Sequence, residues 1–95
     1  MKFAAIIEYV QDRERVQAVR PAHRQYLTTL KANGQLAACG PFTDDSGALI
    51  IYEAAAEAEA EALLRADPWN RNGIFVRWQL RPWNAVMATR ELFPA

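Results

Sequence analysis

The sequence predicts an α+β fold in which strands and helices follow the order β-α-β-β-α-β. Four stretches carry apolar residues at the strand period of two: Phe3 to Tyr9, Gln35 to Phe42, Ala48 to Tyr52 and Ile74 to Trp83. Two others, around Val16 to Leu30 and Ala54 to Ala66, repeat apolar residues at spacings of three and four, the helical period. Gly, Pro, Asn and Asp punctuate the joints.

The first strand sets Phe3, Ala5, Ile7 and Tyr9 against Ala4, Ile6 and Glu8. Both sets are mostly apolar, which marks a central strand covered on both faces. After the polar stretch Gln11 to Arg15, residues Val16, Val19, His23, Tyr26, Leu27 and Leu30 fall on one helical face. Pro21 lies inside this pattern, and proline is tolerated in a first turn but not in a helix interior. The expectation is a break or kink there, with the main helix beginning near Pro21. Asn33-Gly34 stops the helix, glycine supplying the left-handed residue.

In the second strand Leu36, Ala38, Gly40 and Phe42 point one way, Ala37 and Cys39 the other. Gly40-Pro41 ends its regular part, because proline has no N–H for a ladder. Thr43 to Gly47 reads as a turn, with Asx-type side chains bonding the local backbone and glycine taking a positive φ. The third strand, Ala48 to Tyr52, is again apolar on both faces. In the second helix Ala56, Ala60, Leu63 and Leu64 form the apolar side. Glu57, Glu59 and Glu61 come early and Arg65 late, as the helix dipole favours. Asp67-Pro68 stops it, since a residue before proline is pushed out of the α region. Trp69 to Gly73 is expected to be a loop. In the fourth strand Ile74, Val76, Trp78 and Leu80 alternate with Phe75, Arg77, Gln79 and Arg81, and Pro82 ends it. Residues 83–95 form a tail expected to pack on the domain or on a partner subunit.

This order is the split βαβ arrangement of ferredoxin-like folds, with two helices on one face of a four-stranded antiparallel sheet. The other face has no internal cover, yet the first and third strands are apolar on it. A second copy, sheet against sheet, is the economical cover, so a homodimer is expected.

The 95 residues are expected to form one domain, residues 1–95. A content of 52% hydrophobic and 23% charged residues argues against disorder. Eleven Lys and Arg balance eleven Asp and Glu, so no global field draws the chain to nucleic acid or to an anionic membrane. One cysteine cannot form an internal disulfide, and one cysteine with one histidine rules out the common zinc ligand sets. No apolar run approaches the ~20 residues of a membrane span. Met1-Lys2-Phe3 runs straight into a strand pattern without a signal-peptide layout. The expectation is a cytoplasmic protein with no metal, no cofactor, no nucleic-acid partner and no membrane partner.

His23 is the first candidate for chemistry. It is the sole histidine and sits among Val19, Leu27 and Leu30 on an apolar face. In a helix starting at Pro21 it would stand in the first turn, where the dipole disfavours an imidazolium, and a neutral ring suits a general base. The plainer reading is a core histidine bonded to backbone. Asp67 is either a helix stop or a functional carboxylate. Gly40-Pro41-Phe42 marks either a bulge or a place where a ligand approaches the backbone. Trp69, Trp78 and Trp83 either line an apolar pocket or pack in the core or an interface. Arg77 and Arg81 share a strand face and serve either an anionic substrate or ion pairs across a dimer. Cys39 reads as a small buried hydrophobe. Glu57, Glu59 and Glu61 form a solvated face, because carboxylates two apart do not share a helix face.

Taken in order, Arg20-Pro21-Ala22-His23-Arg24-Gln25-Tyr26-Leu27, Gly34-Gln35-Leu36, Gly40-Pro41-Phe42, Asp44-Asp45-Ser46-Gly47, Asp67-Pro68-Trp69 and Arg81-Pro82-Trp83 resemble the YciI-like (YCII-related) family. The similarity runs from about Lys2 to Trp83. No single piece is specific, whereas the ordered set is fairly so. The resemblance implies a ferredoxin-like fold assembled as a dimeric α/β barrel. It also implies an active site built from a histidine–aspartate pair in a cleft, which maps onto His23 and Asp67, with the Gly-Pro turn at Gly40 and Pro41 nearby. Phe42, Trp69 and Trp78 are then the expected apolar walls. The activity the resemblance implies is cofactor-free, lyase-like or isomerase-like chemistry on a small metabolite, such as dehydrochlorination of a hydroxylated aromatic. The alternative is a non-catalytic dimeric module that binds a ligand or partner in the same cleft. RNA binding on the sheet is disfavoured, since no Lys/Arg-Gly-aromatic motif of the RNP type occurs.

Overall fold

In the computed structural model, which describes residues 1–89, the elements are β1 (Lys2–Tyr9), α1 (Arg13–Ala32), β2 (Leu36–Pro41), β3 (Gly47–Glu53), α2 (Glu57–Arg65), α3 (Pro68–Arg71) and β4 (Phe75–Trp83). The four strands form one antiparallel sheet in the order β2-β3-β1-β4. This is the ferredoxin-like α+β arrangement, with a short α3 added before the last strand.

The strand period decides which face meets the helices. Phe3, Ala5, Ile7 and Tyr9 of β1 and Ala48, Ile50 and Tyr52 of β3 are buried in one core with Val16, Leu27, Leu30, Ala60, Leu64 and Trp69 from the helical layer. The opposite set includes Ile6 and Leu49, which are 44% and 39% exposed. Among the described residues the outer face of the sheet is therefore apolar and largely open at Ile6 and Leu49, while Ile51 on it is buried.

The first helix is longer than the sequence pattern suggests. The expected break at Pro21 does not occur, and α1 begins eight residues earlier, at Arg13. Asp12 caps it, its carboxylate accepting the Arg15 N–H at 3.2 Å. Proline in a helix interior costs about 3 kcal/mol. Anchoring ahead of Pro21 offsets this: Val16 is buried, its carbonyl accepts the Trp69 Nε1–H at 3.1 Å, and Arg15 donates to the Asn72 carbonyl at 2.9 Å. Burying one such side chain contributes about 1.5–3 kcal/mol and each hydrogen bond about 1. Pro21 itself is exposed, so its ring and the Gln17 carbonyl it leaves without an amide donor face water. At the other end, Gly34 takes φ 73° and the Gln35 N–H returns to the Leu30 carbonyl at 2.8 Å, closing the helix as expected.

Five further expectations are corrected. In the β2–β3 turn the positive φ belongs to Asp45 (60°), not to Gly47. Gly47 is required for another reason: a Cβ there would lie 1.8 Å from the Ile7 carbonyl oxygen. The segment after Asp67 is not a loop but the helical turn α3, because Pro68 suits a first helical position and Asp67 caps it. In β4 the simple alternation fails, since Glu8 pairs with Arg77 but Tyr9 pairs with Phe75. The extra residue, Val76, bulges and is 52% exposed, which turns Phe75 inward with Trp78. Pro82 does not end β4; it lies within it, paired with Phe3 on an edge strand where a missing N–H costs no ladder bond. Cys39, expected to be buried, is exposed, because β2 is the other edge of the sheet. Of the tail, Val86 and Met87 are 82% and 90% exposed, and residues 90–95 lie outside the described residues.

Candidate active site

The helical period of α1 puts Arg20, His23, Arg24 and Leu27 at i, i+3, i+4 and i+7, one stripe facing the sheet and α3. Asp67 closes α2, its N–H reaching the Leu64 carbonyl at 3.2 Å, and opens α3, its carboxylate accepting the Trp69 N–H at 2.8 Å. The two segments meet at one pair. Both oxygens of Asp67 lie within hydrogen-bond distance of His23 Nδ1, at 2.8 and 2.9 Å. Asp67 is 0% exposed and His23 5%. An ionised carboxylate only accepts, so Nδ1 carries the hydrogen. In the neutral ring that leaves Nε2 as the lone-pair nitrogen, and among the described residues nothing hydrogen-bonds to it. Because α1 starts at Arg13, His23 stands in its third turn, so the first-turn dipole argument does not apply to it.

Trp69 fixes the ring. It stacks on His23 with centroids 3.7 Å apart and planes 14° from parallel. Tyr9 packs its edge against Trp69 at 4.9 Å, and the Arg20 guanidinium lies 5.6 Å from the Trp69 ring centre. Arg20 also reaches Asp45 of the β2–β3 turn at 3.4 Å. The imidazole is thus held by a carboxylate at one nitrogen and by an indole across its face.

His23 lines a cleft of ≈ 230 Å³ between α1, the β2 edge and α3, with Tyr9, Arg20, Arg24, Cys39, Gly40, Pro41 and Trp69 also in its wall. Burial pushes the Tyr9 hydroxyl up to about 12, aided by Asp45 and opposed by Arg20. A larger concavity of ≈ 760 Å³ lies on the outer sheet face, lined by Ile6, Leu49, Ile51 and Trp83 among others. Its wall is mostly apolar and holds no acid–base pair, so the smaller cleft is the candidate site. Among the described residues no three His, Cys, Asp or Glu converge as metal ligands, and no helix is long and apolar enough to cross a membrane.

The model of the YCII-related domain matches residues 1–84, nearly the whole described chain. The chain belongs to the YCII-related family. A solved structure similar to this YCII-related chain is 5-chloro-2-hydroxyhydroquinone dehydrochlorinase from Burkholderia phenoliruptrix AC1100, in complex with 2,5-dihydroxybenzoquinone. It shares 26% sequence identity with a TM-score of 0.78, covering 88% of this chain and 94% of that one. No curated protein matches the chain.

Of the residues singled out from the sequence, this YCII-related fold brings His23, Asp67, Gly40, Pro41 and Trp69 together at one cleft. Phe42 and Trp78 are placed elsewhere. Phe42 is 41% exposed beside the outer face, and Trp78 sits on β4 under the Arg65 guanidinium, 5.2 Å from its ring centre. Arg77 and Arg81 flank the outer face, opposite Glu8 and Ala4 of β1. Sequence reasoning missed Tyr9, Arg20 and Arg24 as cleft residues. The spacing of Arg20 and Arg24 around His23 carried the signal, whereas Tyr9 is indistinguishable from a core residue by alternation alone.

Proposed function

We propose that this YCII-related chain is a small cofactor-independent enzyme that moves a proton on a single-ring metabolite, with His23 as the acid–base group and Asp67 as its positioning partner. The observation that carries the reading is the hydrogen bond that His23 Nδ1–H donates to the two oxygens of Asp67, which leaves Nε2 as the nitrogen for a bound molecule. Nε2 takes a proton from the substrate, and the buried carboxylate stabilises the imidazolium that forms. In an elimination, a leaving group then departs with its bonding pair and the proton passes to solvent. In an isomerisation, the same proton returns at another atom. The size of the cleft supports a small substrate. A cavity of about 150 Å³ holds one benzene ring, so ≈ 230 Å³ suits a substituted single ring. The dehydrochlorination for which the structural neighbour is named is chemistry of this kind.

We also propose that a second copy of the chain covers the outer sheet face. Ile6, Leu49, Phe42 and Trp83 are between 39% and 44% exposed there, a contiguous apolar surface that water solvates poorly. Sedimentation is expected to give a dimer, and Leu49→Arg a monomer; a wild-type monomer at micromolar concentration contradicts it.

The enzyme reading is tested by incubating the protein with 5-chloro-2-hydroxyhydroquinone and a panel of hydroxylated rings and lactones, following product and chloride release. His23→Asn is expected to lower turnover by about 10²–10⁴-fold. Ring compounds that bind in the cleft yet yield no product across the panel mean that the chain is a binding module.

A further inference from the structure

The cleft wall has a chemical bias that proton transfer alone does not require. Beside His23 and the Cys39 thiol, its polar side chains are Tyr9, Arg20 and Arg24, all hydrogen-bond donors at neutral pH. Among the described residues no Asp or Glu lines it. Asp67 is wholly buried behind His23, and Asp45 is turned to Arg20. Tyr9 is only 4% exposed, and among the described residues its hydroxyl takes part in no hydrogen bond. A hydroxyl on a cleft wall without a protein partner keeps a donor for a bound molecule. Arg20 and Tyr9 both contact the Trp69 ring, and both line the same cleft as His23.

We infer that Tyr9 and Arg20 together hold an anionic oxygen of the bound ring, a phenolate or enolate, while His23 Nε2 handles the proton. The inference rests on the proton-moving reading above and adds to it the residues that select the substrate. Asp45 is a positioning residue for Arg20 at 3.4 Å. A donor that faces charge in a site closed to water contributes more than it would in solution, since nothing reorganises when the charge appears. Tyr9 keeps its proton far above neutrality, so it serves as a donor and not as a second base.

The test uses para-nitrophenol and its methyl ether, para-nitroanisole, which present the same ring with and without an ionisable oxygen. At about pH 8 the nitrophenol is an anion and a tyrosine keeps its proton. Binding is followed on the ring signals of His23, which as the sole histidine reports this cleft alone. The wild-type protein is expected to bind the phenolate more tightly than the ether. Tyr9→Phe, which keeps the ring against Trp69, is expected to weaken phenolate binding about tenfold, the loss of one charge-assisted hydrogen bond, and to leave the ether unchanged. Arg20→Gln is expected to act in the same direction. Equal binding of phenolate and ether by the wild-type protein, no response at His23 to either, or an unchanged phenolate affinity in both variants overturns the inference. Its failure is separable from that of the enzyme reading. Unchanged phenolate binding in the variants with turnover still lost in His23→Asn removes only the oxygen-holding role; weakened binding in a protein without turnover removes only the enzyme.

Discussion

Trp69 lies flat against His23, 3.7 Å between ring centres, while its own backbone N–H is tied to the carboxylate that holds the same histidine. One residue therefore joins the two halves of the pair, and its indole N–H reaches back to α1 at the Val16 carbonyl.

Truncating that residue is expected to loosen both fold and site. Trp69→Ala removes a side chain that is 3% exposed and should cost about 3–5 kcal/mol, read by urea unfolding. Trp69→Phe keeps a ring under the imidazole and loses the bond to Val16, so it should cost about 1–2 kcal/mol. A Phe variant as unstable as the Ala variant means that the stacked ring is not what holds the site.

Pro21 is a cost that α1 carries. Pro21→Ala restores an amide donor for the Gln17 carbonyl and removes a helix penalty of about 3 kcal/mol, against up to about 1 kcal/mol of added freedom in the unfolded chain. The expected gain is about 2 kcal/mol of unfolding free energy, measured by urea titration. A loss of stability means that the proline ring supports the helix in some way its exposed position does not show.

All three tyrosines of the chain, Tyr9, Tyr26 and Tyr52, have hydroxyls pushed above the ordinary value by burial, Tyr9 to about 12. The folded protein binds these protons more tightly than the unfolded chain. The stability they contribute is present in full below about pH 10 and declines as pH rises toward 12. Tyrosinate absorbance is therefore expected to rise at a higher pH in the folded protein than in the unfolded chain. A tyrosine that titrates at the ordinary value with the fold intact contradicts the packing described for it.

Much of this was legible in the residues, for reasons that also explain the failures. The two-residue period of β1 and β3 marks both faces correctly, because those strands are regular and central. In β4 the same logic misplaces Phe75, since a bulge at Val76 is an event of pairing and leaves no mark on one strand's own pattern. Pro21 was misleading because propensity is local, whereas Val16, Arg15 and Asp12 secure the preceding turns through α3 and a cap. Asp67-Pro68 reads equally as the end of one helix or the start of the next, and it is both. Cys39 looked like core because its neighbours are apolar, yet its strand is an edge. The pairing of His23 with Asp67, 44 residues apart, has no local signature and came only through the family resemblance.

The tautomer of His23 tests its pairing with Asp67 most directly, read by nitrogen NMR of the single imidazole at a pH where the ring is neutral. Free imidazole side chains favour the hydrogen on Nε2. In this protein the hydrogen is expected on Nδ1 and the lone pair on Nε2, with Asp67→Leu reverting to the Nε2–H form. An Nε2–H tautomer in the wild-type protein, or a tautomer indifferent to Asp67, would mean that the carboxylate does not poise the histidine as a base toward the cleft.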